Sequence, residues 1–91
     1  MKKYIRHNRL IMEKVHDELF IMDVNAGKYY ALNSTASYLW QMLETPIGFD
    51  DLQRRMMMIY SVDERNCKDA LANILNEMMG RFMVVLFEDE S

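Results

Sequence analysis

The stretch "DVNAGKYYALNSTASYLW", residues 23–40, decides how this chain is read. Asn25-Ala26-Gly27 is turn chemistry, because glycine tolerates a positive φ and asparagine often does. Lys28 to Leu32 is short and aromatic, as strands prefer. Asn33 can cap a helix beginning at Ser34, its side-chain oxygen accepting an otherwise orphaned backbone N–H. A strand therefore stops abruptly at the mouth of a helix, with a lysine and two tyrosines near its start. The purpose of that strand is the question the rest of the sequence must answer.

Upstream, Leu10 to Val15 and Leu19 to Val24 read as two strands. His16-Asp17-Glu18 between them is short and polar, so the pair forms a hairpin. With Lys28–Leu32 they make an antiparallel meander. Downstream the period turns helical: Ala36, Leu39, Trp40 and Leu43 recur through Glu44, and Pro46 marks the break. A second helix starts after Gly48, with Asp50 and Asp51 in its first turn, where negative charge suits the dipole. Leu52, Met56 and Ile59 form its inner stripe, and Tyr60-Ser61 ends it.

The third helix carries the clearest pattern. Asp63 is its N-cap, and Cys67, Leu71, Ile74, Leu75 and Met78 share one apolar face. Arg65, Lys68, Asp69, Asn73 and Asn76 lie on the other, and Gly80 is placed to stop it. Met83 to Phe87 reads as extended, a candidate fourth strand. The expected fold class is α+β and winged-helix-like, a three-stranded antiparallel sheet followed by three helices. One domain spans 1–91, with a basic N-terminal arm at 1–9 and a frayed acidic end at 88–91.

Composition narrows the function classes. Half the residues are apolar (51%) and 27% are charged, the balance of a globular chain rather than a disordered one. A net charge of −3 supplies no broad basic field for wrapping nucleic acid. Cys67 is the sole cysteine, which rules out an intramolecular disulfide and a Cys-based zinc site. A reducing cytoplasm fits this usage. The N-terminus "MKKYIRHNRL" lacks the apolar run of a signal peptide, and no segment nears the ~20 apolar residues that span a bilayer.

Catalytic chemistry finds no foothold. His7 and His16 have no partner at metal-ligand spacing. Asp50-Asp51 is explained by the helix dipole, and Cys67 by an inner helix face, where a free cysteine acts as a small hydrophobe. There is no Gly-rich phosphate loop and no nucleophile–base–acid constellation. The expectation is a chain that is not an enzyme and carries no cofactor or metal. Methionine is in excess, and Met56-Met57-Met58 and Met78-Met79 cannot all point inward, so one of each group must lie near the surface. Spare apolar surface without chemistry suggests binding.

A winged-helix DNA-binding regulator is the alternative of a different class. Between Asp63 and Met79 the third helix sets Arg65 and Lys68 against Asp63, Glu64, Asp69 and Glu77. Phosphate contacts dominate DNA affinity, and this helix would repel the backbone. Lys2, Lys3, Arg6 and Arg9 form the one basic cluster.

The segment "MDVNAGKYYALNSTASYLWQML" resembles PqqD-like proteins, in which a tyrosine-rich or aliphatic strand meets Leu-Asn and then an Ala-rich helix with a Trp or Leu. "GFDDLQRRMMMIYSVDERNCKDALANILNEMM" is similar to that family's second and third helices, with a Tyr closing one and Val-Asp opening the next. The resemblance runs over roughly residues 9–84. Pro46, the Met run and the apolar tail after Gly80 depart from the usual pattern.

The resemblance implies a stand-alone RiPP recognition element, which captures the leader of a ribosomally made precursor peptide. In such proteins the leader adds as an antiparallel strand to the free edge of the third strand and lies along the third helix. The implied peptide-binding residues are Lys28, Tyr29, Tyr30, Ala31 and Leu32 on the strand. Cys67, Ala70, Leu71 and Ile74 would form the facing wall. Alternation along the strand puts Leu32 and Tyr30 inward and Tyr29 on the opposite face. The implied partners are the leader peptide and a separate leader peptidase and cyclase, or another modifying enzyme, with no nucleic acid and no membrane. Lasso peptide biosynthesis is favoured, with a chaperone for the pyrroloquinoline quinone (PQQ) precursor peptide as the alternative.

Overall fold

The computed structural model describes residues 1–16 and 18–88. In chain order the elements are β1 (Lys2–Arg6), β2 (Ile11–Val15), β3 (Glu18–Asp23), β4 (Lys28–Leu32), α1 (Ser34–Met42), α2 (Phe49–Ile59), α3 (Glu64–Gly80) and β5 (Val84–Glu88). The expected meander is present as an antiparallel sheet in the order β2-β3-β4. Its two connections follow from local chemistry. Val15 pairs with Glu18, leaving His16 at φ 55 in a tight turn. Asp23 pairs with Lys28 across a loop that ends in Gly27 at φ 66.

Three helices follow, and their caps are those the sequence marks. The Asn33 side chain accepts the Ala36 N–H at 2.8 Å. The Asp63 carboxylate accepts the Asn66 N–H at 2.8 Å. Each satisfies one donor that the first helical turn would otherwise orphan. α1 ends at Met42, slightly earlier than the periodicity to Glu44 suggests.

Two sequence expectations are corrected here. The basic arm is not an arm: β1 pairs antiparallel with β5, from Lys2 opposite Glu88 to Arg6 opposite Val84, in a separate two-stranded sheet. Lys2, Tyr4 and Arg6 lie on a regular strand because Tyr4 also exchanges both backbone hydrogen bonds with Ile47, at 2.8 and 3.0 Å. The extended tail is thus the fifth strand, and Glu88 belongs to it; residues 89–91 of the expected frayed end lie outside the described residues.

The stop of α3 also differs. Gly80 is its last helical residue, and the left-handed position falls two residues later, on Phe82 at φ 58. The Phe82 N–H donates to the Met79 carbonyl at 3.0 Å and the Met83 N–H to the Met78 carbonyl at 2.9 Å. That is the Schellman pattern with phenylalanine where glycine is usual. The downstream demand is Met83 and Val84, both buried: they fix where the chain must turn, and Phe82 takes the strain.

One core joins Leu19, Ile21 and Leu32 of the meander to Leu39, Trp40 and Leu43, then to Leu52, Leu71, Leu75 and Met78, and closes on Met83 and Val84. Ile59 is half exposed rather than inward; the α2 position that buries instead is Gln53, whose amide donates to the Glu64 carbonyl at 3.0 Å. This bond ties the middle of α2 to the start of α3. Met57 and Met58 are both exposed, whereas Met78 is buried and Met79 half-buried.

Candidate functional site

β4 is the last strand of the meander, so among the described residues one side of its backbone has no strand partner. Its position is fixed at both ends. At the start, Asp23 accepts the Ala26 N–H at 3.1 Å through one carboxylate oxygen and Arg9 at 3.1 Å through the other. The Arg9 guanidinium and the turn N–H hold the Asp23 carboxyl below the usual carboxylate range. At the end, Ser37 donates its hydroxyl to the Leu32 carbonyl at 3.3 Å, one residue before the α1 cap.

Side chains alternate along the strand as the pleat requires. Leu32 is buried and Tyr30 half-buried, both on the core face, whereas Tyr29 stands 72% exposed on the other. Lys28 and Ala31 are exposed. In the register of the ladder Tyr30 lies opposite Ile21 and Tyr29 opposite Met22.

Beside this edge runs the C-terminal half of α3. A hollow of about 520 Å3 is lined by Ala31, Leu32, Asn33 and Ala36 on one side and by Ile74, Glu77, Met78, Arg81 and Met83 on the other. Arg81 forms a 2.8 Å ion pair with Glu77 and lies over the Tyr30 ring, 5.1 Å from its centroid. A second hollow of about 530 Å3 lies further along α3, lined by Thr35, Met56, Tyr60, Val62, Cys67, Ala70, Leu71 and Ile74. Its walls are almost wholly apolar. Ile74 lines both hollows, so the two meet along one face of α3.

The structure thus brings Cys67, Ala70, Leu71 and Ile74 to one hollow, while Ala31 and Leu32 line its neighbour. Lys28, Tyr29 and Tyr30 line neither hollow. Sequence reasoning did not place Thr35, Tyr60, Val62 or Arg81 at the site. Only Tyr60 and Val62 carried a visible signal, as apolar residues in the turn between two helices. Cys67 is buried, with its thiol 3.8 Å from the Gln53 carbonyl, and burial pushes the thiol pKa up. A thiol so held is poor as a nucleophile.

The other free edge of the sheet is unlike this one. β2 carries Glu13 and Lys14 in mid-strand, charges that discourage pairing. Among the described residues no group of three or more His, Cys, Asp and Glu side chains is arranged to hold a metal ion, and no helix is long and apolar enough to cross a membrane.

The family described as Coenzyme PQQ synthesis protein D (PqqD) matches residues 18–84, from the first residue of β3 to the first of β5. The chain belongs to the PqqD family. No curated protein matches it in sequence. Two solved structures share the fold of this PqqD-family chain. One is TbiB1 in complex with the TbiA(beta) leader peptide, 19% identical with a TM-score of 0.82, covering 93% of this chain and 99% of that one. The other is a lasso peptide synthetase B1 complexed with the leader peptide, 17% identical with a TM-score of 0.79, covering 90% and 96% of the two chains.

Proposed function

We propose that this PqqD-family chain is a binding protein that captures the leader of a ribosomally synthesised precursor peptide by β-strand addition. It presents the leader to separate modifying enzymes and does not itself carry out chemistry. The observation that carries this reading is an open strand edge beside a hollow that runs on, along α3, into an apolar one. A five-residue edge gives a peptide about 17 Å of backbone to pair with. Main-chain hydrogen bonds then supply affinity and side-chain pockets supply specificity. Ala31 and Leu32 form the strand wall and face Ile74, Glu77 and Arg81, and Cys67, Ala70 and Leu71 carry the helix wall on into the second hollow. Two proteins of the same fold are bound to leader peptides, which supports the assignment and favours a lasso-type pathway, with a leader peptidase and a cyclase as partners.

Fluorescence polarisation with labelled leader and core peptides of the cognate precursor tests this. The leader is expected to bind and to leave with its mass unchanged. Binding of the core alone, or salt-dependent binding of duplex DNA in place of the leader, would overturn the reading. A mass change in peptide incubated with this protein alone would make it an enzyme.

A further inference from the structure

The β1–β5 ribbon has two edges, and they are used differently. On β1 the Tyr4 N–H donates to the Ile47 carbonyl at 2.8 Å, and the Ile47 N–H donates back to the Tyr4 carbonyl at 3.0 Å. The Arg6 N–H donates to the Leu43 carbonyl at 2.9 Å. The main-chain groups of Tyr4 and Arg6 thus point away from β5. Those of Lys3 and Ile5 point towards it, because a strand presents successive residues to opposite sides. In the register of the ribbon Lys3 lies opposite Phe87 and Ile5 opposite Val85, so Phe87 and Val85 direct their N–H and C=O groups at β1. The next bond in the series, from the His7 N–H to the Met83 carbonyl at 2.8 Å, keeps the same phase. The main-chain groups of Val84, Leu86 and Glu88 therefore face outward. Among the described residues they make no backbone hydrogen bond beyond the ribbon.

This edge is unguarded. Val85, Leu86 and Phe87 are apolar yet exposed, and no charge interrupts β5 before Glu88. An apolar strand with outward main-chain groups is a template for another strand. The phase of β5 fixes how a second copy fits. A two-fold axis at Leu86 sets Leu86 against the partner's Leu86 as an antiparallel hydrogen-bonded pair, with Val84 against the partner's Glu88 at either end. The residues of the other phase match as well, since each Val85 lies beside the partner's Phe87, an aromatic and β-branched pair. The two Glu88 carboxylates fall at opposite ends of the contact, so no like charges face each other across it.

We infer that this chain associates with a second copy of itself through the β5 edge, in a four-stranded antiparallel sheet of order β1-β5-β5-β1. A strand of another protein would satisfy the same backbone groups, but a copy of β5 matches them in phase and length about one axis. Five residues a side bury less than the roughly 1,000 Å2 of a lasting complex, so the dimer is weak and forms with rising concentration. β4 belongs to the other sheet and keeps its open edge. Each copy in the pair therefore retains its own groove beside α3.

Analytical ultracentrifugation of the full chain over a hundredfold range of concentration is the test. The mass is expected to rise from monomer towards dimer and no further. Leu86→Pro removes an N–H that β1 does not use and obstructs the axis, and Leu86→Lys sets two cations against each other there. Circular dichroism shows whether each is folded; the lysine variant carries the test if the proline one is not. Self-association is expected to weaken tenfold or more in both, with leader affinity by polarisation within about twofold of the unaltered chain. Mixing Leu86→Lys with Leu86→Glu is expected to restore the dimer, because opposite charges then meet across the axis. An unaltered chain that stays monomeric throughout, folded variants that dimerise normally, or a mixture that fails to associate would overturn the inference. Leader that dissociates the dimer would also overturn it, since the copies would then be joined at β4.

Discussion

Arg81 lies over the ring of Tyr30 at 5.1 Å from its centroid, and this contact ties the end of α3 to the strand at the open edge of the sheet. The Arg81 side chain is 45% exposed, so the interaction belongs to the weaker range of about 0.5–1 kcal/mol. Arg81→Ala should lower the melting temperature slightly and weaken leader binding more than an exposed arginine on α2, such as Arg55→Ala, does. Thermal melts and polarisation titrations of both variants check this. Equal leader affinity in the two would show that the groove width does not depend on Arg81.

Asn33 caps α1 through its bond to the Ala36 N–H. Asn33→Ala should cost roughly 0.5–2 kcal/mol of stability. Asn33 also lines the hollow beside β4, but its side-chain oxygen is taken up by the cap, so leader affinity measured well below the melting transition should be unaltered. A weakened affinity with an unchanged melting temperature would mean that Asn33 touches the peptide.

Asp23 gives the fold a defined acid limb. Its folded pKa lies below the unfolded value of about 3.9, because Arg9 and the Ala26 N–H favour the carboxylate. The stability it contributes is present above that unfolded value and is lost as pH falls through the folded one. Urea midpoints between pH 7 and pH 2 should therefore fall less steeply at the acid end for Asp23→Asn than for the unaltered chain. The variant should also start lower at pH 7, since an amide cannot replace the ion pair with Arg9. Parallel curves would remove Asp23 from the acid transition.

Phe82 holds a left-handed conformation at φ 58 with its side chain 71% exposed. That backbone costs a non-glycine residue roughly 1–2 kcal/mol, and little packing is lost with an exposed ring. Phe82→Gly should raise stability, read as a higher urea midpoint at constant slope, by an amount offset in part by the added freedom of the unfolded chain. A lower midpoint would show that the ring contributes more than the strain removes.

Backbone pairing at β4 is open to proline scanning. N–H groups of adjacent residues point to opposite sides of a strand, so either 29 and 31 or 28, 30 and 32 face the leader. Proline at an outward N–H removes a donor and obstructs approach, whereas at an inward one it breaks the ladder to β3. The expected pattern is alternation: folded variants that no longer bind leader, interleaved with variants that lose structure by circular dichroism. Folded variants that all bind normally would move the peptide off this edge.

Much of this was readable before the fold was seen, for identifiable reasons. Asn33 and Asp63 announce helix starts through local hydrogen bonds, and Leu32 with Tyr30 fixes the facing of β4 through the two-residue pleat. β1 was not readable, because its partners, Ile47 and β5, lie far along the chain and its basic residues mask an ordinary strand period. Gly80 misled for a related reason: glycine suits a left-handed stop, but burial of Met83 and Val84 chose Phe82. In the groove, Cys67, Leu71 and Ile74 were visible as a helical stripe. Thr35 and Arg81 were not, since they reach it from the mouth of α1 and beyond the end of α3.

The β1–β5 ribbon also has a consequence for how the protein is made. Lys2 pairs with Glu88, so this ribbon closes only when the two ends of the described fold meet. Pairing across so long a loop carries a high entropic cost and forms late, after the local β2-β3-β4 hairpins can close. Until it closes, Tyr4 and Ile5 lie on an open strand beside Lys2, Lys3 and Arg6. Lys2, Lys3 and Arg6 are the kind of charges that discourage such an open strand from pairing with another chain before the ribbon closes.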